Sequence, residues 1–320
     1  MDRNEQLRRP VLVTGMHRSG TSWLGAMLSA SGRFIDVQEP LSVRNRQTIL
    51  PSRVEHWYTY ICDSNEDLYL PFYRDALAFR MHPLYDVKRM RVGSPRDPVR
   101  IPKRWADFVL GRVQRRLALI RDPFAALSIE WFSRRLGVDT VAIVRHPVAV
   151  VSSLKRLGFT FDFTNLLEQP LLMERRLERF RSEMESALRD PGDVVGQGSL
   201  LWRIVYASIA EDQGRVSSMH VVRHEDLSLD PVEEYSRLYE ALGTPIGARA
   251  RRTIARNTSE RNPKEVSRKN PFKVRLDSRA NLTNWKHRLE ADEVERILSI
   301  TATERRHFYD EESDRPEPSP

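Results

Sequence analysis

Apolar and polar positions along this 320-residue chain follow a repeating order: a short apolar run, a loop, then a stretch with apolar residues at helical spacing. Pro10-Val11-Leu12-Val13-Thr14-Gly15, bounded by Pro and Gly, predicts a buried strand. Thr21 to Ser31 puts Trp23, Leu24, Met27 and Leu28 at helical spacing and predicts the helix that follows. The unit recurs as the amphipathic stretch Phe124 to Leu136, a strand over Val138 to Val144, and an apolar helix from Pro147 through Leu154. A third strand, Ser218 to Arg223, leads to Asp230-Pro231-Val232-Glu233. There Asp suits an N-cap, Pro the first helical position and Glu the capping-box partner, so a helix runs to about Leu242 and closes at Gly243. Short strands alternating with amphipathic helices imply an α/β fold with a mainly parallel sheet, because parallel strands need helical crossovers.

Leu41 to Ala118 breaks the alternation: it reads as irregular, aromatic and basic, with breakers at His82-Pro83 and Ser94-Pro95-Arg96-Asp97-Pro98. Such an insertion suits a substrate-shaping region. Leu166 to Leu188 carries Leu167, Leu171, Leu172, Leu177, Phe180 and Met184 among charges, which fits either a lid helix or a packed helix with one solvated face. No linker or internal repeat divides residues 1–310, so one domain is expected, with 311–320 an acidic, proline-rich, frayed tail.

Composition narrows the classes. At 40% hydrophobic the chain can bury a sizeable core. Its 52 Lys plus Arg against 44 Asp plus Glu leave a net charge of +8, which favours an anionic partner without choosing one. The single cysteine, Cys62, rules out an internal disulfide or a Cys-based zinc site and fits a reducing compartment. The apolar run after Pro10 stops at His17-Arg18, too short for a signal-peptide core. No uncharged apolar stretch reaches about 18 residues, since Val141 to Leu154 is broken by Arg145, His146 and Pro147. A cytoplasmic protein without a transmembrane segment is the expectation. No H-x-x-x-H, H-E-x-x-H or EF-hand pattern occurs, so no metal is expected.

The chemistry-bearing residues begin in Gly15-Met16-His17-Arg18-Ser19-Gly20-Thr21-Ser22, between the first strand and its helix. A loop at that junction aims backbone N–H groups and a helix dipole at a phosphate. Its G-x-x-x-x-G frame is that of a Walker A loop, but Thr21 stands where that motif has Lys. Arg18 supplies a cation from within the loop instead. A second cation follows the second strand: Arg145-His146-Pro147, with Ser153 eight residues after Arg145, about two turns into the next helix.

In this order the residues resemble the sulfotransferases that use 3′-phosphoadenosine 5′-phosphosulfate (PAPS). Arg18-Ser19-Gly20-Thr21-Ser22-Trp23 looks like their 5′-phosphosulfate loop. The resemblance implies that Arg18 meets the 5′-phosphate and bridging oxygen, that Ser19, Gly20, Thr21 and Ser22 cradle the phosphate, and that Trp23 either stacks on adenine or belongs to the core. Arg145 and Ser153 match the 3′-phosphate motif. Val221 to Leu227 followed by Asp230-Pro231 resembles a further family segment, in which His224 takes an aromatic place near adenine. Asn284-Trp285-Lys286-His287-Arg288-Leu289 resembles the C-terminal segment that closes over the cofactor, giving Trp285 and Lys286 binding roles, with Arg279 a looser candidate. The implied fold is a P-loop NTPase-like three-layer fold with a central, mainly parallel sheet flanked by helices.

Sulfuryl transfer needs a base, cations for developing charge, and in-line positioning. Arg121-Asp122-Pro123-Phe124 resembles the segment whose Lys touches the sulfuryl group, so Arg121 takes that place. Pro123 stands where the phenol and steroid branch has its His base. The Glu-base branch, acting on tyrosines and carbohydrates, has its base after the first helix, and Glu39 in Asp36-Val37-Gln38-Glu39-Pro40 occupies that position. His17, His56 and His82 are rival bases. The implied products are adenosine 3′,5′-bisphosphate (PAP) and a sulfated carbohydrate, glycolipid or other small metabolite. Two other readings stay open: a P-loop phosphotransferase with Asp226 or Glu225 holding magnesium, and a polyanion-binding protein using Lys88, Arg89, Arg91, Arg96, Arg100, Lys103 and Arg104. Aromatic residues are sparse in that run, so no nucleic-acid partner is expected.

Overall fold

The computed structural model describes residues 9–44, 49–50, 54–81, 97–265 and 274–310, with the backbone alone for 97–101 and 104. His82, Pro83, Lys88, Arg89, Arg91, Ser94 to Arg96 and the 311–320 tail lie outside the described residues.

Among the described residues five strands form where apolar runs meet turn residues: β1 Val11–Thr14, β2 Phe34–Gln38, β3 Leu117–Arg121, β4 Asp139–Val144 and β5 Met219–Arg223. All neighbours pair in parallel, in the order β2-β3-β1-β4-β5. After β1 the chain moves towards β2, and after β4 towards β5, so the connections diverge between β1 and β4. That divergence opens a crevice outside the carboxyl ends of the two strands.

Among the described residues the helices of six residues or more are α1 Thr21–Ser29, α2 Leu70–Leu77, α3 Asp97–Val113, α4 Ile129–Leu136, α5 Pro147–Leu157, α6 Arg181–Ala187, α7 Val194–Gln213, α8 His224–Leu229, α9 Pro231–Ala241, α10 Ala248–Thr258 and α11 Ala291–Ile300. Period-two alternation in the strands sorts them into two layers. Leu12, Ile120, Ala142 and Val144 face a core shared with Phe132 of α4, Val150 and Leu154 of α5, and Trp202 and Tyr206 of α7. Val11, Val13, Leu119, Val141 and Ile143 face the opposite core, built from Leu24 and Met27 of α1, Tyr235 and Tyr239 of α9, and Ile254 of α10. A parallel sheet between two helical layers is the α/β class expected from the sequence.

The Asp230 N-cap forms, its carboxylate accepting the Glu233 N–H at 3.5 Å. Two expectations change. Leu41 to Ala118 is not irregular throughout, since it contains α2 and α3 and runs into β3; β2 and β3 are both strands the apolar pattern left unread. Each has only five residues, and Asp36 and Gln38 in β2 and the flanking Arg116 and Arg121 of β3 mask its apolar character. Leu166 to Leu188 is no continuous helix: it breaks into short turns before α6 and buries Leu166, Leu172, Leu177, Phe180 and Met184 in the core. Of its two readings, packing with a solvated face is the one observed. Among the described residues no helix is long and apolar enough to cross a membrane.

Gly15, at φ 140°, is where β1 turns into the loop, and a Cβ there would lie 2.3 Å from the Ile143 carbonyl oxygen of β4. Gly15→Ala is therefore expected to destabilise the fold by about 2–3 kcal/mol through backbone strain and displaced β4, read as a lower urea midpoint at unchanged slope.

Candidate functional site

Each of the five strands delivers a polar residue at its carboxyl end, all on one edge of the sheet: the Gly15–Gly20 loop after β1, Glu39 after β2, Arg121 closing β3, Arg145 after β4 and His224 after β5. Backbone bonds extend the ladder beyond the strands, with Glu39 N–H donating to the Arg121 carbonyl at 2.8 Å and Asp122 N–H to the Val13 carbonyl at 3.0 Å. The edge opens on a cavity of about 460 Å³ whose walls include Arg18, Gly20, Thr21, Ser22, Trp23, Glu39, Arg145, Ser153 and His224.

The loop is wound tightly, with Arg18 at φ 71° and Gly20 at φ 107°. Space at Gly20 is taken by His224, whose ring carbon would be 2.9 Å from an added Cβ. Helix α1 starts at once, so its first N–H groups face the loop. Arg18 Nε donates to Ser153 Oγ at 3.3 Å, and Arg145 Nη1 donates to the Arg18 carbonyl at 3.2 Å. The two anchors read from the sequence thus touch one another, as helix α5 packs back over the β4 end. Burial, then Arg145 and Arg156, lower the Arg18 guanidinium to about 10, and burial also lowers Arg145. Arg145 Nε is buried and makes no hydrogen bond among the described residues. Crowded guanidinium groups and an unmatched buried donor suit a multiply charged anion.

Both anchors are supported from beneath by α7. Tyr206 OH shares a 2.7 Å hydrogen bond with Ser19 Oγ and lies 3.0 Å from the Ile143 carbonyl, while Trp202 Nε1–H donates to the Arg145 carbonyl at 2.9 Å. Ser19 is therefore fully buried and its hydroxyl faces the core, leaving its loop position but not its side chain towards the cavity. Trp23 is both core and wall: its ring meets Tyr235 edge-on at 5.7 Å and lies 5.3 Å from His224. Burial, and then Arg145, push the His224 imidazole well below its ordinary value.

Arg121 is 8% exposed and sits behind the cavity wall. One edge of its guanidinium, Nε and Nη2, holds Asp36 at 3.3 and 3.2 Å; Nη1 reaches Ser22 at 3.0 Å and Glu39 at 3.2 Å. Gly25 of α1 leaves it room, since a Cβ there would approach Arg121 Cδ to 2.5 Å. Glu39 adopts φ 41°, a conformation that costs a non-glycine residue strain and recurs at functional sites. Burial pushes its carboxyl up, Arg121 pulls it back and Asp36 pushes it up again. Asp36 is likewise raised by burial against the pull of Arg121. Asp122, fully buried, accepts the Leu41 and Phe124 N–H groups at 2.6 and 2.9 Å and so shapes the turn carrying Glu39.

Not every expected residue converges. Trp285 packs against Val148, Val151 and Leu289, and Lys286 is exposed; neither lines the cavity, whereas Arg288 does. Arg279 donates to the Leu229 carbonyl instead. Arg156 also lines the cavity, and it and Arg288 share Glu265. Arg156 lies three residues past Ser153 and so on the same helical face, a signal the sequence carried. Among the rival bases, His17 lines the cavity and His56 does not. Beyond His17 the wall turns aromatic, with Trp57, Phe124, Phe159 and Phe161.

No family model matches this chain, and no curated protein matches it. Solved structures similar to it include the sulfotransferase domain from the curacin biosynthetic pathway, at 16% identity and TM-score 0.46, covering 92% of this chain and 98% of that one. Also similar are the sulfotransferase domain of the Synechococcus PCC 7002 olefin synthase, at 17% identity and TM-score 0.40, covering 92% and 94%, and mouse sulfotransferase SULT7A1 complexed with PAP, at 13% identity and TM-score 0.43, covering 94% and 89%. All three are sulfotransferases.

Burial and then Arg18 lower His17 to about 4, against 6.5 for a free imidazole. Between those values the unfolded chain binds a proton that the folded chain refuses, so folding weakens as pH falls from 6.5 towards 4. Relative to His17→Gln, the wild type should lose about 1 kcal/mol of stability per pH unit across that window, measured by urea denaturation. A difference independent of pH would contradict a half-buried His17 held neutral.

Proposed function

We propose that this chain transfers the sulfuryl group of PAPS to a hydroxyl of a small acceptor, leaving PAP. The observation that carries the reading is the meeting of two phosphate anchors in one cavity: Arg18 bonded to Ser153, and Arg145 bonded to the Arg18 carbonyl. A nucleotide with phosphates at both ends of its ribose suits that pair, and Trp23 with His224 offers flat surfaces to its base. Arg156 and Arg288 are the further cations for the second phosphate.

In the step proposed, the acceptor oxygen attacks sulfur as the sulfur–oxygen bond to the 5′-phosphate breaks, and the bonding pair leaves on PAP. The acceptor proton passes to Glu39, whose burial favours a proton acceptor of useful strength. Arg18 and the first N–H groups of α1 meet the developing charge. Arg121 acts from behind, orienting Ser22 and Glu39. The aromatic wall of Trp57, Phe124 and Phe161 suits an acceptor with an apolar face beside its hydroxyl, as a sugar ring, a glycolipid or another small metabolite has. The buried free thiol of Cys62 accords with a reducing, cytoplasmic setting.

Calorimetric titration with PAP, against ATP plus magnesium, tests the two-phosphate site. PAP should bind more tightly, and Arg145→Ala, checked for folding by its melting temperature, should weaken it about tenfold to a hundredfold. Preference for ATP with magnesium would replace this reading with a phosphotransferase. Glu39→Gln should bind PAP as the wild type does but lose turnover by about 10²–10⁴ in an acceptor screen with PAPS. Normal turnover would remove Glu39 from the role of base.

A further inference from the structure

His17 lines the cavity next to Arg18, and its hydrogen bonds determine which ring nitrogen carries the proton. Tyr58, fully buried, places its hydroxyl 3.2 Å from the His17 backbone nitrogen and 2.8 Å from His17 Nδ1. The backbone N–H donates, so the Tyr58 oxygen accepts there. The one hydroxyl proton has Nδ1 as its acceptor; were Nδ1 protonated instead, that proton would have no acceptor among the described residues. Nδ1 is thus the acceptor, and Nε2 carries the hydrogen. The Nδ1 edge points into the core, with Tyr58 and Phe124 rings at 6.0 and 6.1 Å, and Nε2 makes no hydrogen bond among the described residues.

Resting on the sulfuryl-transfer reading above, we infer that His17 is a neutral hydrogen-bond donor whose Nε2–H meets an oxygen of the transferred sulfuryl group, and that Tyr58 is the positioning residue that fixes this tautomer. The ring is then no proton acceptor, which separates its role from that of Glu39 across the same cavity. The groups around it are consistent: Arg18 beside it in the loop opposes an imidazolium, Tyr58 and Phe124 pack its inner side, and Glu39 and Arg44 line the cavity it faces. A neutral donor adds a bond to a sulfuryl oxygen without adding charge to an already cation-rich pocket, and it stays a donor throughout the neutral pH range.

The test is nitrogen-15 NMR of the full chain with labelled histidine, alone and with PAP or PAPS, assigned with His17→Gln. The expected free spectrum shows His17 neutral and protonated on Nε2 at pH 7, and Tyr58→Phe loses that preference while the protein still melts cooperatively. An Nδ1–H or charged ring would overturn the tautomer whether or not the chain uses PAPS, because that measurement needs no ligand. PAPS should shift the Nε2–H resonance and PAP should not. An equal shift with both would assign the donor to a phosphate and overturn the sulfuryl contact, whereas binding of neither in calorimetry would fell the sulfuryl-transfer reading while the free tautomer still stood. By calorimetry His17→Ala should weaken PAPS about tenfold and leave PAP unchanged, with His17→Gln, which restores an N–H at the Nε2 position, recovering most of the loss. Equal weakening of PAPS and PAP would again overturn the assignment.

Discussion

The parallel register of the sheet is the constraint on which the site depends. Strands that run the same way end on the same side, and here the pairing of Val13 with Arg121, of Gln38 with Arg121, of Thr14 with Ala142 and of Val144 with Arg223 sets the carboxyl ends on one edge, with β4 and β5 reaching three residues beyond β2 and β3. Residues separated by most of the chain, such as Gly20 and His224, become neighbours without any long-range contact having to select them individually. Backbone bonds from Glu39 to Arg121 and from Asp122 to Val13 continue that order into the loops, where side-chain placement matters most.

Charge is divided on that edge by function. Arg121 is tied to two carboxylates, Asp36 and Glu39, and acts as a fixed brace. Arg18 and Arg145 meet a hydroxyl and a carbonyl, so their charge is directed but not cancelled by those bonds. Glu225 offsets part of the field at Arg145 while its carboxylate accepts the His146 N–H and the Tyr309 hydroxyl, each at 3.0 Å. Holding cations together in a partly dry cleft costs stability, and an anion bound there returns it.

What could be read from the chain follows how local each feature is. The β1 loop and the Arg145–Ser153 spacing were legible because strand, turn and helix are contiguous and their periods fix where side chains point. Strands β2 and β3 were not, because a five-residue segment interrupted by Asp36 or ended by Arg121 becomes a strand only when its partner supplies the ladder. Glu39 could be named from its place after the first helix, but its bond to Arg121 and the brace from Asp36 depend on β2 and β3 lying side by side. Ser19 shows the opposite limit: its motif position was clear, yet Tyr206, 187 residues away, turns its hydroxyl inward. Arg288, rather than Lys286, reaches the cavity because the short turn over Asn284–His287 rotates the segment, and no periodicity foretells that rotation.

Trp202 and Tyr206 stand one turn apart on α7, and each grips a different anchor: Trp202 the backbone at Arg145, Tyr206 the loop at Ser19. A single rigid rod therefore links the turn at Arg145 to the loop at Ser19, because the rise of an α-helix, about 5.4 Å per turn, does not stretch. The helix serves as a ruler between the loop at Ser19 and the turn at Arg145.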